Sequence, residues 1–90
     1  MLRLGELVYS KAGRDAGRKF VVVNIIDSSY VLISDGDLRK IEKPKKKKIK
    51  HLDSCGIVID SLNKKLEGKA KLTNDEIKKE IAQYNTIQYT

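Results

Sequence analysis

Seven consecutive residues, Phe20-Val21-Val22-Val23-Asn24-Ile25-Ile26, hold five β-branched side chains and only one polar one. Branched β-carbons crowd a helix but pack well on a pleated surface, so the run reads as a strand. It does not alternate between apolar and polar, which predicts cover on both faces. Shorter runs flank it at close intervals. Gly5 to Ser10 predicts a first strand, with Leu7 and Tyr9 facing one side and Val8 the other. Tyr30-Val31-Leu32-Ile33-Ser34 predicts a third, reached through the turn residues Asp27-Ser28-Ser29. Asp35-Gly36 signals a tight turn, and Leu38-Arg39-Lys40-Ile41 reads as a short fourth strand.

Lys43-Pro44-Lys45-Lys46-Lys47-Lys48-Ile49-Lys50 then holds six lysines in eight residues. Pro44 lacks a backbone donor, so this stretch cannot begin a central strand. A fifth strand is expected around residues 49–52, resuming at Ile57-Val58-Ile59. Five short strands between glycine turns predict a mainly β fold, a five-stranded SH3-like barrel, since closure removes exposed edges. Residues 1–59 are assigned to this barrel. Residues 60–71 are polar and without clear period, and are read as a flexible connection. Residues 72–90 are expected to form one C-terminal α-helix and a tail, packed on or beside the barrel. Thr73 and Glu76 have capping-box spacing, Leu72 and Ile77 form a hydrophobic staple, and Ile77, Ile81 and Tyr84 make one apolar stripe.

The chain has 90 residues, which suits one domain with a small core and little room for a deep catalytic cleft. Cys55 is the single cysteine and His51 the single histidine. An internal disulfide is therefore excluded and a closed zinc site is not expected. Cys55 is expected to be a half-buried structural thiol. No cofactor is predicted. The longest apolar run is far short of a membrane span and the N-terminus lacks a signal peptide's apolar core, so a cytoplasmic location away from membranes is expected.

The formal net charge is +7, and its distribution says more than its sum. Up to His51 there are thirteen Lys and Arg against six acids; from Leu52 onward six lysines meet six acids. All the excess positive charge lies in the first part. Segregation of this kind predicts an anion-binding face. The lysines Lys43, Lys45, Lys46, Lys47, Lys48 and Lys50 suit phosphate backbones, since each is a point charge on a flexible stem. Lys11-Ala12-Gly13-Arg14-Asp15-Ala16-Gly17-Arg18-Lys19 is a second candidate: its glycines permit tight bends, and Arg14 and Arg18 can fork onto phosphate or stack on bases. Asp15 is positioned to orient one arginine. Arg39, Lys40 and His51 complete the candidate set. The loop lacks the Gly-Lys-Ser/Thr ending of a nucleotide-binding P-loop, and no catalytic constellation is apparent, so an enzyme is not expected.

Gly5-x-Leu7-Val8-Tyr9, followed by Ala12-Gly13-Arg14-Asp15-Ala16-Gly17-Arg18-Lys19-Phe20-Val21-Val22-Val23, resembles the KOW motif, a strand–loop–strand unit with a characteristic glycine at Gly17. The order that follows is similar to the archaeal and eukaryotic large-subunit ribosomal protein family numbered fourteen-e. It runs Val23 to Asp27, Tyr30 to Ile33, the Asp35-Gly36 turn, a basic stretch, His51-Leu52-Asp53 and finally Leu72 to Lys79. Residues 54–71 match poorly. The resemblance implies an SH3-like barrel that binds ribosomal RNA through Arg14, Arg18 and Lys19 and through the basic stretch before His51. The run after Pro44 is richer in lysine and poorer in arginine than the family pattern, and the lysine and isoleucine bias points to a bacterial-type homologue.

The expected partners are structured ribosomal RNA and, on the ribosome, ribosomal proteins; off it, a monomer is expected. Two other functions compete. One is a protein-interaction adaptor of the transcription or translation machinery, docking through the Ile77/Ile81/Tyr84 stripe. The other is a non-specific DNA-binding protein, which would bind duplex DNA and structured RNA equally.

Overall fold

The computed structural model describes residues 1–87, with side chains through Tyr84. Its strands are β1 (Glu6–Ser10), β2 (Lys19–Ile25), β3 (Tyr30–Ser34), β4 (Lys45–Lys48) and β5 (Leu52–Val58), and its helices are α1 (Asp60–Glu67) and α2 (Asn74–Ile87). The strands form one antiparallel sheet in the order β4-β3-β2-β1-β5. The central strand β2 is the β-branched run, and Phe20, Val21 and Val22 are fully buried.

Both faces of the sheet carry a core. Leu7 and Val21 pack on one face with Ile59, Leu62, Leu72, Ile77 and Ile81 from the helical layer. Val8, Phe20, Val22, Val31, Ile33 and Leu52 make a second cluster, edged by Leu2 and Ile49. Alternation along β1 sends Leu7 to the first cluster and Val8 to the second. Each fully buried side chain of this size is worth about 1.5–3 kcal/mol relative to exposure. The register slips between Leu7 and Val8 and again between Val22 and Asn24, and such bulges bend and twist a sheet.

The expected barrel closure does not occur. β4 and β5 are the sheet's edges and do not pair. A 3-10 turn, Ile49–His51, carries the chain from one edge to the other. Its backbone groups bond elsewhere: Ile49 N–H donates to the Ser29 carbonyl and the His51 carbonyl accepts from Lys11 N–H, both at 2.8 Å.

Three further expectations are corrected. Residues 38–41 are not a strand; the fourth strand is the lysine run itself, and it is an edge. The fifth strand is continuous, because Cys55 and Gly56 are the extra residues of a bulge rather than a break. Where a flexible connection was expected over residues 60–71, Asp60–Glu67 is helix α1, so there are two helices rather than one. Leu62 anchors α1 in the core, and the Asn63 amide donates to the Leu4 carbonyl at 2.7 Å. Gly5 makes this docking possible: a Cβ there would stand 2.8 Å from the Asn63 backbone nitrogen.

α2 begins as its sequence predicts. Thr73 N–H donates to the Glu76 carboxylate and Glu76 N–H to the Thr73 hydroxyl, while Leu72 and Ile77 lie together in the first core. Lys65 bonds Glu76, tying α1 to α2. The stripe of Ile77 and Ile81 is buried against the sheet, with Tyr84 packed beside it. It is core, and it offers no docking surface to an adaptor's partner.

Candidate nucleic-acid interface

The β1–β2 loop is folded rather than loose. Gly17 N–H donates to the Ser10 carbonyl at 2.7 Å, Arg18 N–H to the Asp15 carbonyl at 2.9 Å, and Ala16 N–H to the Gly13 carbonyl at 3.2 Å. The loop also touches three other basic segments. Lys47 Nζ donates to the Ala12 carbonyl at 3.3 Å, Lys11 N–H reaches the His51 carbonyl, and Arg39 Nη2 holds Asp15 at 3.1 Å.

Asp35 links the loop to the turn after β3. Its Oδ1 accepts from the Asp37 and Arg39 N–H groups, and its Oδ2 from Arg18 Nε, each at 2.9 Å. Burial pushes the Asp35 carboxyl up, but the two backbone donors and the Arg18 guanidinium outweigh it and hold the carboxyl below its usual value. Arg18 also lies 3.7 Å from Asp37. The two loops are thus cross-linked by Arg18–Asp35 and Arg39–Asp15, both with a well-buried carboxylate.

These pairs divide the candidate residues. Arg18, at the surface, and Arg39, half-buried, are held in intramolecular ion pairs. Lys11 lies 3.5 Å from Asp53, with both side chains half exposed, an arrangement of small energetic weight. Lys19 is half-buried at the start of β2. Arg14 is exposed and makes no ion pair among the described residues, and the same holds for Lys40, Lys43, Lys48 and Lys50. Along β4 the lysines alternate. Lys45 and Lys47 pair with Ile33 and Val31 on the face of the second core, and Lys46 and Lys48 pair with Leu32 and Tyr30 on the other. Lys46 Nζ sits 4.5 Å from the centre of the Tyr30 ring, a cation–π contact that covers one face of that ring.

Two grooves flank β4. One, of about 350 Å³, is lined by Ser28, Ser29, Tyr30, Lys48 and Lys50. The other, of about 470 Å³, lies between the turn after β3 and the start of β4, and holds Arg39, Lys40, Lys43, Lys45 and Lys46 around Leu38 and Pro44. The structure therefore brings Lys47 and His51 to the arginine loop and gathers Arg39, Lys40, Lys43, Lys45 and Lys46 in one groove. Lys48 and Lys50 fall in the other groove.

Sequence reasoning missed Asp35 and Leu38. The Asp-Gly signal marked Asp35 as a turn residue only, and Leu38 was absorbed into a strand that does not form. Tyr9 is 37% exposed, and the Asp53 carboxylate beside it raises its phenol above the usual value. Cys55 is half-buried, and burial pushes its thiol up, which opposes thiolate chemistry.

No family model matches the chain. Among curated proteins, the large ribosomal subunit protein eL14 of Pyrobaculum aerophilum is 32% identical over 89 residues, covering 99% of this chain and 80% of its own length. The eL14 protein of Sulfolobus acidocaldarius is 32% identical over 82 residues, 91% of this chain and 78% of that protein. That of Staphylothermus marinus is 37% identical over 59 residues, 66% and 62% of the two chains. These relatives are archaeal and lend no support to a bacterial-type assignment. Identity of 30% or more over nearly the whole length shows the family, and the chain belongs to the eL14 family of large ribosomal subunit proteins.

Proposed function

We propose that this protein is a non-enzymatic component of the large ribosomal subunit, working in translation in the cytoplasm, and that it docks on structured ribosomal RNA through β4 and the β1–β2 loop. The observation that carries this reading is the contact of Lys47 with the Ala12 carbonyl, which joins the lysine run to the arginine loop on one side of the molecule. Residues Gly5 to Ile26 are read as the KOW-type unit of that surface. Arg14, Lys40, Lys43, Lys45, Lys46, Lys48 and Lys50 are the cations assigned to phosphate. Arg18 and Arg39 hold the loops in place, and Lys11, Lys19, Lys47 and His51 line the junction. Neighbouring ribosomal proteins are further partners, and off the ribosome the protein is a monomer. No helix among the described residues is long and apolar enough to cross a membrane.

Gradient fractionation of a lysate tests the proposal. The protein is expected to sediment with the large subunit at low salt and to be released as salt is raised, because displaced counterions drive phosphate binding. If it stays at the top of a low-salt gradient while subunits sediment, the reading is lost. Equal affinity of the pure protein for duplex DNA and structured RNA would instead favour a general polyanion binder.

A further inference from the structure

We infer that Leu38 is the seat for an unpaired RNA nucleotide, whose base lies on the leucine while its phosphates meet the surrounding lysines. The inference rests on the RNA-binding reading and adds to it a ligand class and a residue.

Leu38 is 64% exposed, more than any other large apolar side chain described except the terminal Met1. A loose loop would tuck such a side chain away, since exposed apolar surface costs free energy. This turn is not loose. Asp35 N–H donates to the Arg39 carbonyl at 3.0 Å, the Ser34 hydroxyl donates to the same carbonyl at 2.6 Å, and the Asp35 carboxylate binds the two amides on either side of Leu38. Gly36 presses against α2 so closely that a Cβ would stand 2.3 Å from the Asn74 carbonyl oxygen. The turn is fixed from below and holds Leu38 out into water.

The surroundings define what fits. Leu38 and Pro44 give the groove its apolar surface, and Arg39, Lys40, Lys43 and Lys45 surround it. Two acids lie nearby, Asp37 at 3.7 Å from Arg18 and Glu42 accepting from the Asn74 amide at 2.9 Å, and the lysines outnumber them. The complementary ligand therefore carries a flat apolar body and negative charge within a few ångströms of each other. A stacked RNA duplex hides the flat faces of its bases, whereas an unpaired nucleotide offers a base face and phosphate together. Lysines are flexible point charges that discriminate bases poorly, so the seat has little base preference. A single leucine among cations is also far smaller than the apolar patch of a typical protein interface.

The test uses the full chain with labelled leucine methyl groups, titrated separately with a short oligoadenylate and with polyphosphate of matched charge. Oligoadenylate is expected to move the Leu38 methyls upfield by ring current, and polyphosphate is expected to leave them unmoved. Leu38→Ala should weaken oligoadenylate binding about five- to tenfold and change polyphosphate binding less than about twofold. The substitution removes exposed atoms, so the fold is retained. Equal methyl shifts with both ligands, or silent methyls despite salt-sensitive binding of both, would overturn the seat and leave the RNA reading standing. Methyls that answer only to a peptide alternating aspartate and leucine would give the groove to a protein partner and also overturn it. Binding of neither polyanion would remove both.

Discussion

Asp35 shows how one acid organises a basic surface. Its carboxylate takes two backbone amides and Arg18, and without it the turn after β3 and the β1–β2 loop would lose their common anchor. Asp35→Asn keeps the shape but replaces one acceptor oxygen with a donor and removes the charge. The expected loss is about 1–3 kcal/mol of stability, measured by urea unfolding at neutral pH. Because the folded carboxyl titrates below its ordinary value of 3.8, its contribution is complete above that value and is lost as pH falls through the folded one. The gap between wild type and variant should therefore close in acid; a constant gap would show that charge is not its source. Little of this was legible in the sequence. Asp35-Gly36 announces a turn by local chemistry alone, but Arg18 lies 17 residues away, and nothing in a linear pattern pairs the two.

At the scale of the element, local rules succeeded where both partners are close in the chain. The Thr73/Glu76 cap and the Leu72/Ile77 staple lie within one turn, and both formed as read. α1 was missed because its sequence, Asp-Ser-Leu-Asn-Lys-Lys-Leu-Glu, offers only Leu62 and Leu66 to a periodicity argument, and no side chain caps its start. Packing of Leu62 in the first core decides that helix. Leu62→Ala should accordingly cost about 2–5 kcal/mol in chemical denaturation, as a core truncation does, whereas a solvated connection would lose almost nothing. For β4, Pro44 excluded a central strand, and the observed edge position obeys that restriction. Alternation along β4 gives the RNA reading a directional test. Lys46→Gln with Lys48→Gln removes two exposed charges from one face and should flatten the slope of log affinity against log salt by about one to two. An unchanged slope would mean that these side chains only face solvent.

The whole molecule separates charge along the chain. The neutral C-terminal part from Leu52 supplies β5 and both helices, and the basic excess sits on the other strands and their loops. That asymmetry was visible from composition, because charge sums need no coordinates. Barrel closure was not, since it depends on whether two distant edges meet, and the Ile49–His51 turn bonds Ser29 and Lys11 instead. The two cores share β1 and β2, with Leu7 and Val21 in one and Val8 and Phe20 in the other. Helices and sheet should therefore melt as a unit, and far-ultraviolet dichroism and tyrosine fluorescence should report coincident transitions. Two resolved steps would mean that the helical layer unfolds alone.

An open sheet leaves a row of hydrogen-bonding groups along the outer side of β4, where a strand from a neighbouring copy would fit. Four consecutive lysines line that row, and their like charges oppose the approach of a second copy's β4. Were their ammonium charge removed, the bare margin would become adhesive and the protein would stack with itself. One of the sheet's two borders is thus guarded by four adjacent side chains.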